Sequence, residues 1–252
     1  FSDEVANISF SEQFRVGFTT KYKYVKGELN FVTGYTNLER KYDTYSSWTS
    51  SVDYSYYKSR SMNADLFNKY NFSKQVFLIL GTQFQFMDML EESAFESITN
   101  TQANFNVFDP YATLVYYSNF GLNINTGARI NNHNVYGNYT TFNFNPSFNF
   151  KTMPLKLISS YSTAYITPSL YQLYSPYGNL TLIPEENTTI EAGFETNLFQ
   201  NKISFNAVGF YREEENSYDF FTDEVTYESK YINNSSQVIA KGVETNLGFN
   251  PV

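Results

Sequence analysis

The chain has 252 residues, a net charge of −8 and no cysteine. Without thiols, disulfides and cysteine metal sites are excluded, and a negative chain without clustered Lys and Arg is a poor partner for nucleic acid. Its longest apolar run, Val76–Leu80, has five residues, whereas a membrane-spanning helix needs about 20. Any insertion into a membrane must therefore use β-strands.

Alternation of apolar and polar residues predicts six β-hairpins in chain order. The clearest strand is 141–151, where Phe142, Phe144 and Phe148 share one face and asparagines fill the other. Mostly aromatic apolar faces opposite uncharged polar faces are typical of a wall between lipid and water. The predicted strands are 13–24, a return strand through 29–35, 58–70, 75–87, 107–117, 121–134, 141–151, 155–165, 188–199, 203–212, 226–232 and 237–249.

The connections between these strands alternate in length. Short turns are predicted near residues 26, 72, 119, 153, 201 and 251. The longer, tyrosine-rich connections are 41–57, 88–106, 135–140, 166–187 and 213–225. This alternation is typical of an outer-membrane barrel, which has short periplasmic turns and long extracellular loops. Pro146 lies within a predicted strand and predicts a β-bulge there, because proline cannot donate a ladder hydrogen bond.

The main alternative is a soluble all-β fold, such as a sandwich, a propeller or an antiparallel solenoid. The hairpin spacing is close to the repeat length of a propeller blade. The regular alternation of short and long connections favours the membrane barrel instead. So do tyrosines at strand ends, which resemble the interfacial girdle of a barrel, at Tyr22, Tyr24, Tyr35, Tyr161 and Tyr165.

Few residues indicate chemistry. The single histidine, His133, lies among asparagines at a strand end, where it is either one member of a hydrolase site or a histidine at the rim of a loop. Acidic residues cluster around 88–96 and 213–224, but without the spacing or glycine turn of a calcium loop, so solvated loop charge is the simpler interpretation. We therefore predict no enzyme activity, no metal site and no cofactor.

An ordered series of short motifs begins at residue 160. It comprises Ala164-Tyr165 with Pro168, Gln172-Leu173-Tyr174, Gly178-Asn179 with Leu182 and Pro184-Glu185, Glu191 with Gly193 and Glu195, Phe210-Tyr211, Tyr231–Asn234 and Lys241-Gly242-Val243-Glu244. In composition and order this series resembles the late barrel of TonB-dependent outer-membrane receptors. Within that family, the part from Gln172 to Asn179 is most similar to cobalamin receptors.

The resemblance implies an antiparallel transmembrane β-barrel of about 22 strands with a plugged lumen. Residues 1–252 would form one part of that barrel domain, with about 12 strands, and the family's plug domain and C-terminal strands are not in this sequence. Such receptors actively import scarce large nutrients across the bacterial outer membrane, for example cobalamin, a siderophore or heme. The implied partners are outer-membrane lipid, the nutrient, the TonB energy-transducing complex acting through the plug segment, and a surface lipoprotein.

The resemblance also implies where ligand and plug would be contacted. Aromatic rings suit flat macrocycles, so the expected ligand contacts are loop residues, namely Tyr171, Tyr174, Tyr177, Tyr45, Trp48 and Tyr54. The alternative is that these tyrosines belong to the outer girdle. Glu191, Glu195 and Glu244 have the lumen parity and are expected to face the plug, as are the asparagines of 141–151. A passive porin or a surface adhesin is the alternative function, and it predicts no plug in the full protein.

Overall fold

The computed structural model describes residues 7–46, 49–94 and 97–250, and in them the protein is almost entirely β-sheet. Its elements in chain order are β1 (Ile8–Tyr24), β2 (Gly27–Ser46), β3 (Ser51–Asn71), β4 (Val76–Ser93), β5 (Ser97–Ile98), β6 (Asn104–Tyr117), β7 (Leu122–His133), β8 (Gly137–Asn149), β9 (Leu155–Ile166), α1 (Leu170–Tyr174), β10 (Glu185–Leu198), β11 (Ile203–Glu215), β12 (Tyr218–Thr222), β13 (Ser229–Asn233) and β14 (Val238–Phe249). No helix in these ranges is long and apolar enough to cross a membrane.

The strands form one antiparallel sheet of 12 strands and a separate two-stranded sheet. The large sheet follows chain order from β1 to β14, except that β5 pairs only with β4, and β12 and β13 pair with each other. β1 and β14 form its two edges, and neither edge pairs with another strand in the described part of the chain. The all-β, antiparallel prediction with about 12 strands is confirmed.

The large sheet has one apolar face and one polar face. On the apolar face Phe144 lies opposite Thr126 of β7 and Tyr161 of β9, and the pattern continues to Val243 at the far edge. Phe144 is 45% exposed and Val243 is 72% exposed. So large an exposed apolar surface does not suit water but does suit lipid, and the polar face then lines the lumen.

The wall is tallest at β2 and β3, which have 20 and 21 residues, whereas about 9–11 residues suffice to cross a bilayer. On the apolar face, the aromatic and aliphatic residues give way to ion pairs above Tyr35 and Met62. Lys58 pairs with Glu39 at 2.8 Å, and Arg60 forms a bidentate pair with Asp88, from Nε to Oδ1 and from Nη2 to Oδ2. Charges on this face mark the point where the strands leave the membrane.

Two of the predicted loops were therefore wrong. Most of 41–57 is strand, because β2 continues to residue 46 and β3 begins at residue 51. Lys41 and Asp43 look like loop residues, yet they occupy the face that has left the lipid, while Asp53 lies on the polar face. The predicted connection 135–140 is also short, because only residues 134–136 separate β7 from β8.

The remaining turns keep the predicted asymmetry. Tight turns at 25–26, 72–75, 118–121, 150–154 and 199–202 lie at one end of the sheet. The other end carries the longer connections 94–103, 167–184 and 216–237. In bacterial barrels the end with longer loops is extracellular.

The predicted pairing of 226–232 with 237–249 is wrong. β13 pairs with β12, and β14 pairs with β11, where Leu247 lies opposite Phe205 on the apolar face. β14 thereby continues the large apolar face, whereas the short β12–β13 hairpin stands outside the large sheet. The predicted bulge at Pro146 is also wrong, because the register between β7 and β8 is constant on both sides of the Pro146–Ile124 pair. The proline instead coincides with a gap in the ladder between β8 and β9.

Candidate ligand-binding site

A cavity of about 530 Å³ lies on the polar face near the extracellular end of β2, β3 and β4. We call it the β2–β4 pocket. Arg40 and Tyr42 of β2 line it, together with Tyr57 of β3, Met89 of β4 and Tyr171 of α1. Alternation along β2 places Arg40 and Tyr42 on the same face, and Arg40 lies opposite Tyr57 in the ladder. Three tyrosines and one guanidinium therefore meet at a single cavity.

The pocket combines aromatic surface with an available positive charge. The rings of Tyr42 and Tyr57 lie 5.8 Å apart in an edge-to-face arrangement at 76°. Arg40 is exposed and forms no ion pair with any residue that the structure describes. A free guanidinium beside aromatic rings suits an anionic ligand with flat rings, because it can hydrogen-bond to oxygen anions and stack on a π-face.

The short helix α1 brings Tyr171 to this pocket. Ser169 caps the helix by accepting from the backbone N–H of Gln172, and the Gln172 side chain accepts in return from the Ser169 N–H. Leu170 is buried against Ile98 and Ala103 of the β5 connection. The N-cap residue Ser169 fixes where the helix starts, and Leu170 fixes which side of the helix faces the sheet. Together they determine the position of Tyr171.

An aromatic cluster joins the two longest loops above the pocket. The ring of Tyr171 lies 6.4 Å from that of Tyr231, which lies 5.2 Å from Phe220. Phe220 in turn lies 5.5 Å from Tyr177. Desolvation raises the pKa of Tyr171, so its hydroxyl stays protonated and can donate a hydrogen bond to a ligand.

The predicted ligand-contact residues occupy different positions. Tyr171 lines the pocket, Tyr177 is 46% exposed within the aromatic cluster, and Tyr174 packs against the apolar cluster around Leu170. Tyr45 and Tyr54 have the parity of the apolar face and point away from the lumen. Trp48 lies outside the described residues.

The three predicted plug-facing glutamates share the polar face. Glu195 lies opposite Lys156 of β9, whose ammonium group is 2.9 Å from its carboxylate. Glu191 lies four residues before Glu195 on the same face of β10. Glu244 of β14 lies on this face too, because it pairs with Val208 of β11, which pairs with Gly193 of β10. Their contact with a plug stays a prediction.

Of the residues that line the pocket, the sequence interpretation named only Tyr171, and it missed Arg40, Tyr42, Tyr57 and Met89 among others. Arg40, Tyr42 and Tyr57 fell within the predicted loop 41–57 or beside it, and Met89 fell at the start of the next one. The period-2 pattern of Leu38, Arg40, Tyr42 and Thr44 was the available signal. The capping-box motif Ser169-x-x-Gln172 was the available signal for the start of α1.

His133 has a structural role at the turn between β7 and β8. Its Nδ1 accepts hydrogen bonds from the backbone N–H groups of Val135 and Tyr136, at 3.1 and 3.4 Å. Its ring lies 5.0 Å from the rings of Phe105 and of Tyr136. The side chain is 5% exposed, so it is buried in this turn, whereas the second interpretation of the sequence expected it at the rim of a polar loop.

Gly178 has no room for a side chain. A Cβ atom there would lie 2.5 Å from the Leu173 carbonyl oxygen and 2.7 Å from that of Ser175, both backbone atoms. We expect Gly178→Ala to displace the last turn of α1 and to increase protease cleavage within 170–183 by several-fold. Gly209→Ala is the matched control, because its nearest atom is 3.8 Å away. Similar cleavage of both variants would contradict this account of Gly178.

The tip of the β12–β13 hairpin depends on Asp223. Its carboxylate accepts 2.8 Å bonds from the backbone N–H groups of Thr226 and Val225, which lower its pKa. A lowered folded-state pKa means that this stabilisation is present above the ordinary value and is lost as the pH falls through the folded value. In the unsubstituted protein we expect pepsin cleavage at 224–227 to rise steeply as the pH falls below about 4. In Asp223→Asn, whose side chain is an uncharged acceptor at every pH, the rise should be shallower. Identical pH profiles of cleavage in the two proteins would contradict this role of the Asp223 carboxylate.

A two-faced antiparallel sheet, with tight turns at one end and packed loops at the other, is a wall of an outer-membrane β-barrel. The profile of the family "TonB dependent receptor-like, beta-barrel" matches residues 3–250, and the chain belongs to this family. The family consists of transporters and not of enzymes, so the predicted lack of enzyme activity and the outer-membrane location are confirmed.

Solved structures show the same fold at low sequence identity. The hemophore receptor HasR of Serratia marcescens, solved with its hemophore and heme, matches with a TM-score of 0.81 and 14% identity over 98% of this chain and 47% of its own. The ferric enterobactin receptor of Pseudomonas aeruginosa matches with 0.76 and 16% over 96% and 41%. The copper transporter OprC matches with 0.78 and 13% over 96% and 44%. This chain therefore spans less than half the length of each of these proteins.

Proposed function

We propose that this chain is the ligand-contacting wall of a TonB-dependent active transporter for a large, anionic metal chelate, such as a ferric siderophore or heme. The observation that carries the proposal is the β2–β4 pocket, where Arg40 lies beside Tyr42, Tyr57 and Tyr171. Ferric catecholates and heme both combine flat rings with negative oxygen groups, and this pocket offers partners for both features. The names of two proteins of the same fold, a hemophore receptor and a ferric enterobactin receptor, support the same class.

The pocket also bears on the choice among nutrients. The similarity of Gln172–Asn179 to cobalamin receptors keeps cobalamin as the alternative ligand. The periphery of cobalamin is mostly neutral amide groups, however, and these do not need a free guanidinium. We therefore favour an anionic chelate. The aromatic contacts that we retain are Tyr171 and Tyr177, to which we add Tyr42 and Tyr57.

The other partners follow from membership of the family. We propose that chain beyond this sequence supplies a plug, that Glu191, Glu195 and Glu244 face it, and that the TonB complex acts on it. A surface lipoprotein stays a predicted partner without a surface assigned to it.

Energy coupling separates this proposal from a passive porin or an adhesin. Cells producing the full-length protein should accumulate radioactive iron supplied as ferric enterobactin or as heme. Accumulation should stop when the TonB gene is deleted or when a protonophore collapses the inner-membrane gradient. Accumulation that continues at the same rate under both treatments would favour the passive pore, and surface binding without accumulation would favour the adhesin.

A further inference from the structure

The β12–β13 hairpin and the loop after α1 are joined by the side chain of one residue, Asn233. The Ile183 N–H donates to Asn233 Oδ1 at 2.9 Å, and Asn233 Nδ2 donates back to the Ile183 carbonyl at 2.9 Å. This is the reciprocal pair of bonds that two residues of an antiparallel ladder exchange, here made by a side-chain amide. Nδ2 also donates to the Asn216 carbonyl at 2.7 Å, so both of its hydrogens are used.

A second pair of bonds lies two residues away on β13. The Tyr231 N–H donates to the Tyr177 carbonyl at 3.0 Å, and Asn179 Nδ2 donates to the Tyr231 carbonyl at 2.8 Å. The loop is thus bonded to β13 at two alternate positions, 231 and 233. These contacts also give a physical reason for the sequence motifs at Gly178-Asn179 and Tyr231–Asn234, because the two motifs bind each other.

The hairpin is held at its base by Tyr218. Its hydroxyl donates to the Ile166 carbonyl at 2.7 Å and accepts from the Glu185 N–H at 3.2 Å. It therefore ties the hairpin to the end of β9 and the start of β10, the two strands between which the α1 loop leaves and returns. Burial raises the pKa of Tyr218, which keeps the donating hydrogen in place.

We infer that Asn233 is a positioning residue: it joins residues 177–183 and the β12–β13 hairpin into one rigid unit, the cap, which holds Tyr171 over the β2–β4 pocket. Tyr171 is held from the wall by Leu170 and from the cap by the ring of Tyr231. The two loops then move as one unit, and Tyr171 moves with them. The existence of the cap depends on the structure alone, and its effect on ligand binding rests on the function proposed above.

Amide hydrogen exchange on the full-length receptor tests the cap without any ligand. Asn233→Ala removes both bonds to Ile183, so we expect exchange to rise by roughly tenfold in 177–183 and in 229–233 together, including the Tyr231 amide, whose own bond is not removed. Asn234→Ala is the matched control, because among the described residues the Asn234 side chain accepts only from the Ser236 N–H of its own turn. A rise confined to Ile183, or an equal rise in the control, overturns the cap.

Ligand affinity tests the positioning role separately, with ferric enterobactin and heme as probes. Asn233→Ala should weaken binding about as much as Tyr171→Ala. The double variant should be little worse than either alone, because both substitutions remove the same contact between Tyr171 and the ligand. Additive losses, or unchanged affinity in Asn233→Ala when exchange has risen, overturn the role. If neither probe binds the unsubstituted receptor, the proposed function fails, while the exchange result still decides the cap.

Discussion

We expect Phe144→Lys to destabilise the folded, membrane-inserted barrel strongly. Phe144 lies near the middle of β8 on the apolar face, between Thr126 and Tyr161. A lysine facing lipid at the bilayer midplane costs about 2–4 kcal/mol in an outer-membrane barrel. The measurement is the urea dependence of the heat-modifiable gel shift, which separates folded from unfolded full-length protein.

Asn143→Lys is the control for this prediction. Asn143 is the preceding residue of the same strand and lies on the polar face, next to Asn145. A lysine there faces water or polar groups, so we expect a much smaller change in the urea midpoint. Equal destabilisation by the two substitutions, or greater destabilisation by Asn143→Lys, would show that the two faces have been assigned to the wrong solvents.

Loss of Arg40 should have the largest effect on ligand binding. A charge-assisted hydrogen bond contributes about 1.5–3 kcal/mol, so Arg40→Ala should weaken binding of an anionic chelate by about 10- to 150-fold. Titration of the purified full-length receptor with ferric enterobactin and with heme measures this directly.

Lys41→Ala is the matched control for Arg40→Ala. Lys41 is the next residue and also carries one positive charge, but it lies on the opposite face, 5.6 Å from the ring of Tyr56. The control therefore removes the same net charge without touching the pocket. Affinity that falls equally in both variants would mean that Arg40 acts through the general field of the protein and not through contact.

Sequence reasoning succeeded where one face of a strand had a single environment along its whole length. In β8 the phenylalanines at 142, 144 and 148 face lipid throughout, so parity alone gave the strand and its orientation. It failed where a strand crosses from lipid into water, because β2 then has charges on the face that was apolar below. Glu39 and Lys41 look like loop residues until their ladder partners are known.

The candidate site was predictable only in part, for a related reason. Tyr171 and Tyr177 were found because they lie within the motif series, which carries the resemblance to the family. Arg40 and Tyr57 reach the same pocket from strands that the sequence treats as a loop. The bonds of Asn233 to Ile183 join residues 50 positions apart, and no local pattern indicates such a contact.

A ligand-bound structure of the full-length receptor tests the central claim most directly. With ferric enterobactin or heme at saturating concentration, this account predicts ligand density in the β2–β4 pocket, in contact with the Arg40 guanidinium and the ring of Tyr171. Ligand bound elsewhere in the receptor, without contact to Arg40, Tyr42, Tyr57 or Tyr171, would contradict it.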